Sequence, residues 1–208
     1  MLIRHRDREP TIDPSSFIAP TAVLAGDVTT GARSRVMYGA VLDSEGSSVE
    51  IGECTVVCEN AVIRATKTDV VDHRVHVGDH VMVGPHATLL GCEVQRTAYI
   101  ATGATILHGA RVGVGAVVAV GALVHAGTTL PDGYFVPPHM IALGDPVEIL
   151  SLDDPDALTN AVKEVGFLGI AFGIDMGWED QSARYERAME LRSAEFEAHA
   201  SDVPLLER

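Results

Sequence analysis

Residues 94–135 divide without a gap into seven blocks of six residues: VQRTAY, IATGAT, ILHGAR, VGVGAV, VAVGAL, VHAGTT and LPDGYF. Each block begins with an aliphatic residue, and six of the seven blocks carry Gly or Ala at the second or fourth position. An aliphatic residue at every sixth position does not match the period of an amphipathic helix, which is about 3.6 residues. The pattern instead predicts very short strands joined by bends, with the aliphatic side chains pointing inward.

The same period extends toward the N-terminus. Blocks begin at Val28, Ile51, Val77 and Val83, and the block from Leu89 is one residue short. Three blocks close one triangular coil, and each coil covers the exposed backbone edge of its neighbour. We therefore predict a mainly β protein, a parallel β-helix of hexapeptide repeats. A β-sandwich with glycine turns is the alternative, but seven unbroken blocks favour the coil.

The chain is predicted to have three parts. Residues 1–16 form an N-terminal segment, residues 17–150 form the β-helix, and residues 151–208 form a helical tail that packs on the β-helix. The period disappears after Pro146, which marks the change from coil to tail.

Two helices are predicted in the tail. The first is short and starts at Pro155, after an aspartate cap at Asp153–Asp154. The second is longer and covers residues 179–200, and the last residues, 201–208, are predicted to fray. One face of the longer helix is predicted to pack on the coil. That face carries Tyr185, Ala188, Met189 and Phe196.

The composition limits the classes of partner. Hydrophobic residues make up 47% of the 208 residues but aromatic residues only 5%, so the core must consist of aliphatic side chains. A groove that binds a phosphate backbone is positively charged, whereas this chain has a net charge of −14. We therefore predict no nucleic-acid partner and no membrane partner. The N-terminus lacks the apolar stretch of a signal peptide, and the three cysteines do not indicate a disulfide framework. These features predict a cytoplasmic protein.

Four stretches carry a resemblance to a known family. They are SRVMYGAVLDSEG at residues 34–46, IGECTVVCENAVIR at 51–64, VHVGDHVMVGPHATLLGCEV at 75–94 and ALGDPVEIL at 142–150. Together they resemble the repeat blocks of the γ-class carbonic anhydrases. The resemblance implies a left-handed coil, a homotrimer, and a divalent metal held by three histidines at the boundary between subunits.

The three positions that match those histidines carry other residues. They are Arg64, Pro85 and Leu90, and none of these side chains can bind Zn²⁺. The family's Arg-Gly-Asp run is replaced in part. Asp43 stands at the position of the family's arginine, and Glu45 stands at the position of its aspartate. We therefore predict no metal and no other cofactor. Without a metal to lower the pKa of water, hydration of carbon dioxide is not expected.

Polar residues near the same positions are candidates for metal-free chemistry. Glu59, Arg64 and His86 are the predicted catalytic residues, with Glu59 and His86 as an acid–base pair and Arg64 as the anchor of an anionic group. Asn60 and Asp43 are the predicted substrate-binding residues. Two alternatives remain: a purely structural salt bridge of Arg64 with its carboxylates, and a displaced metal site that uses His86.

Three functions fit these residues. The first is a metal-free lyase, hydratase or isomerase that acts on a small anionic molecule in a cleft between subunits. The second is a non-catalytic binding or assembly subunit. The third is a hexapeptide-repeat acyltransferase, which the absence of a basic cluster for nucleotide phosphates disfavours.

Overall fold

A computed structural model describes residues 1–150 and 153–205. Residues 151, 152 and 206–208 of the predicted tail lie outside the described residues. Most of the chain winds into a left-handed parallel β-helix, which confirms the predicted fold class. The strands within the coils pair in parallel, so the β-sandwich alternative is wrong.

The strands are only two or three residues long. In the first half they are β1 (Leu2–Arg4), β2 (Thr11–Ile12), β3 (Phe17–Ile18), β4 (Val23–Ala25), β5 (Val28–Thr30), β6 (Arg35–Val36), β7 (Val41–Asp43), β8 (Val49–Ile51), β9 (Val56–Val57), β10 (Val62–Arg64), β11 (Thr66–Lys67), β12 (Asp72–His73) and β13 (Val75–Val77). In the second half they are β14 (Met82–Val83), β15 (Thr88–Leu90), β16 (Glu93–Val94), β17 (Tyr99–Ile100), β18 (Thr105–Ile106), β19 (Arg111–Val112), β20 (Val117–Val118), β21 (Leu123–Val124), β22 (Thr129–Leu130), β23 (Phe135–Val136), β24 (Ile141–Leu143), β25 (Glu148–Leu150) and β26 (Val203–Pro204).

Successive coils stack these strands into three sheets. The first sheet runs β25-β24-β21-β18-β15-β10-β7-β4-β1-β26, the second β2-β5-β8-β13-β16-β19-β22, and the third β23-β20-β17-β14-β9-β6-β3. The remaining pair, β11 and β12, forms an antiparallel hairpin that interrupts the repeat between β10 and β13. In the regular coils the register steps by one full turn, so that Ile106 lies beside Val124.

The core is a column of aliphatic side chains inside the triangle. The seven residues that begin the blocks of 94–135 are all buried, each no more than 1% exposed. A full column inside the first sheet consists of Leu24, Leu42, Ile63, Leu89, Ile106, Val124 and Ala142. Burial of each Leu, Ile or Val stabilises the fold by about 1.5–3 kcal/mol.

The corners between sheets impose two backbone requirements. Where the second sheet turns into the third, coils approach so closely that a Cβ on Gly78 would lie 2.7 Å from the backbone nitrogen of Arg96. Where the third sheet turns into the first, one residue is left-handed in each coil from Gly39 to His139. Glycine occupies this position at Gly103, but Asn60 and His86 adopt it with φ of 56° and 57°.

The stack begins earlier than the predicted boundary at residue 17. Strand β1 pairs in parallel with β4, and β2 pairs in parallel with β5, so the first 16 residues supply part of the first coil. The repeat is hard to recognise there because the segment MLIRHRDREP is rich in charge. The predicted fraying of 201–208 is wrong for β26, which pairs antiparallel with β1.

The part of the tail that the structure describes contains three helices and runs back toward the first coil. They are α1 (Pro155–Val165), α2 (Phe167–Phe172) and α3 (Gln181–Phe196), followed by a 3₁₀ turn at Glu197–Ser201. The predicted aspartate cap is confirmed, because the Asp154 side chain accepts a hydrogen bond from the Ala157 N–H at 3.0 Å.

The predicted packing face of α3 is only partly right. Ala188 is fully buried, but Tyr185 and Met189 are 46% and 60% exposed. The buried partner of Ala188 on this helix is Arg184, whose guanidinium lies 4.0 Å from the centre of the Trp178 ring. An amphipathic pattern treats a charged residue such as Arg184 as exposed to solvent. The prediction therefore left Arg184 out of the buried face of α3.

Candidate functional site

Two of the three positions matched to metal ligands lie side by side. Strand β10 pairs with β7 on one side and β15 on the other, which sets Arg64 between Asp43 and Leu90. Pro85 lies elsewhere, at the corner between β14 and β15.

These residue types do not fit a divalent ion. A guanidinium is a permanent cation that cannot deprotonate, and the leucine and proline side chains have no donor atom. The resemblance implies a metal at this place, but the side chains present supply no ligand for it.

Glu59, Asn60 and His86 lie at the corner that connects the third sheet to the first. The backbone N–H of His86 donates to the Glu59 carbonyl at 3.0 Å, and Val57 pairs with Val83. These contacts put Asn60 and His86 at the same place in adjacent coils. Both side chains are exposed, and Glu59 is half-buried.

The predicted site residues fall into two groups within one chain. Asp43 and Arg64 lie at the end of first-sheet strands, whereas Glu59, Asn60 and His86 precede those strands. Strand β10 separates the groups. One chain alone does not gather all five residues around one substrate.

Arg64 contacts a buried pair of carboxylates. Its Nε lies 3.7 Å from Asp43 Oδ2 and 4.0 Å from Glu45 Oε1. The guanidinium also lies 5.4 Å from the centre of the Phe196 ring of α3. About a third of the Arg64 side chain is exposed, while both carboxylates are buried, so the cation is the group that an incoming molecule can reach.

The tail brings a histidine to this cluster that the sequence analysis did not select. His199 Nε2 lies 3.0 Å from Glu45 Oε1, and its Nδ1 lies 2.8 Å from Asp202 Oδ2. The other oxygen of Asp202 lies 2.7 Å from Nδ1 of His5, and the His5 and His199 rings stack with centroids 4.3 Å apart. His5 and His199 lie near opposite ends of the chain, so no local pattern could have joined them.

Burial and charge set the protonation of this cluster. Burial raises the pKa of Asp43, and the nearby Glu45 carboxylate raises it further. Burial opposes protonation of His199, but hydrogen bonds to Asp202 and Glu45 outweigh it and raise the His199 pKa. Burial likewise opposes ionisation of Asp202, yet hydrogen bonds from His199 and His5 lower its pKa. The arrangement favours a charged imidazolium between carboxylates.

A second histidine cluster lies under the helices of the tail. His108 is buried beside Phe167 and Phe172, with ring centroids 5.8 and 5.4 Å away, and Thr66 Oγ1 lies 3.1 Å from its Nε2. Burial lowers the pKa of His108 to about 4, so the imidazole is neutral at pH 7. Its surroundings are those of a packed core histidine.

An open groove of about 620 Å³ follows the second sheet near the β11–β12 hairpin. Charged groups line it, among them Arg74, Glu93 and Arg111. Two of these pair directly, with Arg111 Nη1 2.9 Å from Glu93 Oε2. Predicted site residues do not contribute to its lining.

The chain is similar to γ-class carbonic anhydrases over half its length. It is 41% identical over 112 residues to gamma carbonic anhydrase 3, mitochondrial, of Arabidopsis thaliana, which covers 50% of this chain and 43% of that protein. It is 36% identical over 115 residues to gamma carbonic anhydrase 1, mitochondrial, of the same plant, covering 51% and 42%. These matches confirm the resemblance, and they span less than half of each relative's length. No family model matches the chain.

Solved structures confirm the hexapeptide-repeat fold. A Bacillus cereus protein described as an acetyltransferase candidate superimposes with a TM-score of 0.53 at 21% identity, covering 95% of this chain and 96% of that one. This likeness shows the fold alone. Within the described residues, the helices are all too short or too polar to cross a membrane. The cytoplasmic location stays a prediction, and the names of the plant relatives place them in mitochondria.

Proposed function

We propose that this chain is a metal-free enzyme of the lyase, hydratase or isomerase class, acting on a small anionic molecule between subunits of a homotrimer. The observation that carries the proposal is the row formed by Asp43, Arg64 and Leu90. It puts a half-exposed cation at the place where the resemblance implies a metal ion. A guanidinium offers a bidentate site for a carboxylate, so the row is suited to anion binding.

Each predicted residue has a separate role. Arg64 binds the anionic group, and Asp43, which is buried, positions the guanidinium instead of contacting the substrate. In the dehydration direction, the Glu59 carboxylate accepts a proton from a carbon atom of the substrate, and the electron pair of the broken C–H bond forms a double bond. The leaving hydroxyl group takes a proton from His86 and departs as water. Asn60 donates a hydrogen bond to the substrate. Hydration is the same sequence in reverse.

The outward faces of the sheets favour association. In the third sheet the outward ladder is mostly apolar and consists of Phe17, Arg35, Val56, Met82, Tyr99, Val117 and Phe135. In the second sheet the outward ladder is polar and consists of Thr11, Thr29, Glu50, His76, Glu93, Arg111 and Thr129. An apolar ladder of this length is suited to contact with another copy. The proposal requires that such a copy bring its Glu59 and His86 to Arg64.

The experiment is a turnover assay on a panel of small hydroxycarboxylates and their unsaturated counterparts, in the presence of a chelator. Turnover of at least one substrate is expected. Arg64→Ala and His86→Ala should each lower kcat/KM by about 100-fold without changing the oligomer. The control, His76→Gln on the polar face, should retain activity. Chelator-sensitive turnover, or full activity in the Arg64 variant, would contradict the proposal.

A non-catalytic assembly role is the second candidate. The observation that favours it is the exposed apolar surface of the tail, which includes Trp178, Tyr185 and Met189 at 40%, 46% and 60% exposure. If binding is the function, Met189→Lys should abolish co-purification of a partner, and Arg64→Ala should have no effect. The acyltransferase alternative rests on likeness of fold alone, such as that to the Bacillus cereus protein.

A further inference from the structure

A group of imidazole and carboxylate side chains lies where the tail meets the first coil, and one member, Glu45, also lies 4.0 Å from the predicted catalytic residue Arg64. His5 follows β1, Glu45 follows β7, and His199 lies in the 3₁₀ turn after α3. Each offers one ligand atom, and these atoms all lie within 4.8 Å of one another. We propose that the three side chains bind a divalent transition-metal ion of the Zn²⁺ type, which fastens the tail to the β-helix.

Asp202 orients both imidazoles for this role. Its two oxygens lie 2.7 Å from His5 Nδ1 and 2.8 Å from His199 Nδ1. The two rings are stacked with an interplanar angle of 24°, and both direct Nδ1 at this one carboxylate. A carboxylate that accepts a hydrogen bond from the far nitrogen is the usual support of a metal-binding histidine. Here one carboxylate supports two.

Glu45 supplies the oxygen ligand. Its Oε1 lies 3.0 Å from His199 Nε2, close to the separation of about 3.4 Å between ligand atoms of tetrahedral Zn²⁺. Its Oε2 is buried and has no hydrogen-bond partner. A buried carboxylate oxygen without a partner is costly, and a cation held by both oxygens of Glu45 would remove that cost.

The ligand types select the metal. Two imidazoles with one carboxylate favour Zn²⁺, Co²⁺ or Ni²⁺ over Mg²⁺ or Ca²⁺, which prefer oxygen ligands alone. Asp43 Oδ2 is the next oxygen, 3.6 Å from His199 Nε2. The ion reaches the site through His199, whose side chain is 31% exposed, whereas those of His5 and Glu45 are almost fully buried.

An arginine competes with the ion. Arg6 Nε donates to His5 Nε2 at 3.2 Å, and Arg6 is an exposed residue that also donates to the Glu195 carbonyl. Binding of a cation at His5 Nε2 requires this guanidinium to swing away. Removal of the guanidinium should therefore tighten metal binding, whereas removal of a true ligand should abolish it.

The test is a titration of the full chain with Co²⁺, followed by visible absorbance, and with Zn²⁺, followed by calorimetry. One equivalent should bind. His199→Gln should abolish binding, Asp202→Asn should weaken it by about 10–100-fold, and Arg6→Ala should strengthen it. His76→Gln, which removes an exposed histidine that pairs with Glu50, is the control and should bind as the native chain does.

A second measurement does not depend on the buried variants. Zn²⁺ should slow hydrogen exchange in α3 and β26 of the native chain, because the ion joins the tail to the first coil. Absence of Co²⁺ and Zn²⁺ binding would overturn the proposal, as would weaker binding by Arg6→Ala. Either result would mean that His199 joins the tail to the β-helix as a charged imidazolium paired with Asp202 and Glu45, without a metal ion. Turnover is not a readout here, so failure of this site and failure of the proposed enzyme are distinguishable.

Discussion

At the scale of single residues, two predicted site residues adopt a backbone conformation that side chains disfavour. Asn60 and His86 have φ of 56° and 57° at a corner where Gly103 and Gly121 stand in later coils. Left-handed backbone costs a residue with a Cβ about 1–2 kcal/mol, which glycine avoids. His139 adopts the same conformation at this corner of a later coil, with φ of 59°, so strain alone does not mark His86 as functional.

Replacement of that histidine separates stability from function. His86→Gly should raise the free energy of unfolding by about 0.5–1 kcal/mol because the left-handed strain is relieved. The same variant should lose turnover in the hydroxycarboxylate assay. Urea unfolding and the assay check the two halves. A less stable variant would show that the His86 side chain contributes to packing, and an equally active variant would show that it is not catalytic.

A buried neutral histidine makes the fold sensitive to acid. The pKa of His108 is about 4 in the folded chain, against 6.5 for an unperturbed imidazole, so the unfolded chain binds more protons between these values. Stability should therefore fall as pH drops below 6.5, by about 3 kcal/mol once pH reaches 4. His108→Gln, compared with exposed His76→Gln, should remove this part of the pH dependence in urea titrations. An unchanged pH profile would contradict the burial argument.

At the scale of elements, corners without a Cβ let the coils stack. A methyl on Gly78 would press on the backbone of Arg96, while a methyl on Gly103 would meet nothing within 4 Å. Gly78→Ala should therefore destabilise the fold by about 2–3 kcal/mol through overpacking. Gly103→Ala should cost about 1 kcal/mol from its left-handed φ alone. Thermal unfolding of the pair checks the order, and a reversed order would contradict it.

The same elements indicate how far the sequence could predict the structure. The aliphatic residue that begins each block points into the core of its own coil. Buried positions such as Ile106 and Val118 were therefore predictable from the six-residue period. The approach of His199 to Glu45 was not, because it depends on the path of the whole tail. The face of α3 was predicted wrongly because the burial of Arg184 depends on the Trp178 ring, which no periodicity encodes.

At the scale of the whole molecule, the exposed apolar ladder of the third sheet predicts the assembly. Tyr99 is 49% exposed and lies near the middle of this ladder. Tyr99→Glu should bury a charge in the interface and reduce the particle from a trimer to a chain of 22.0 kDa. Light scattering after size exclusion measures this, with Thr129→Glu on the polar face as control. A native chain that is monomeric, or a Tyr99 variant of unchanged mass, would contradict the predicted interface.

The predicted trimer matters to the proposed function because the two groups of predicted site residues belong to different corners of one chain. If subunits associate, Arg64 of one copy and the Glu59–His86 corner of another can face one cleft. We expect the lack of metal ligands at that cleft to separate this chain from the γ-class carbonic anhydrases in activity.

Stopped-flow measurement of carbon dioxide hydration by the native protein, with Zn²⁺ supplied, tests this separation most directly. Because Arg64, Pro85 and Leu90 offer no metal ligand, the rate should equal that of buffer, even if Zn²⁺ binds beside His199. Zinc-dependent hydration well above the buffer rate would contradict a metal-free site.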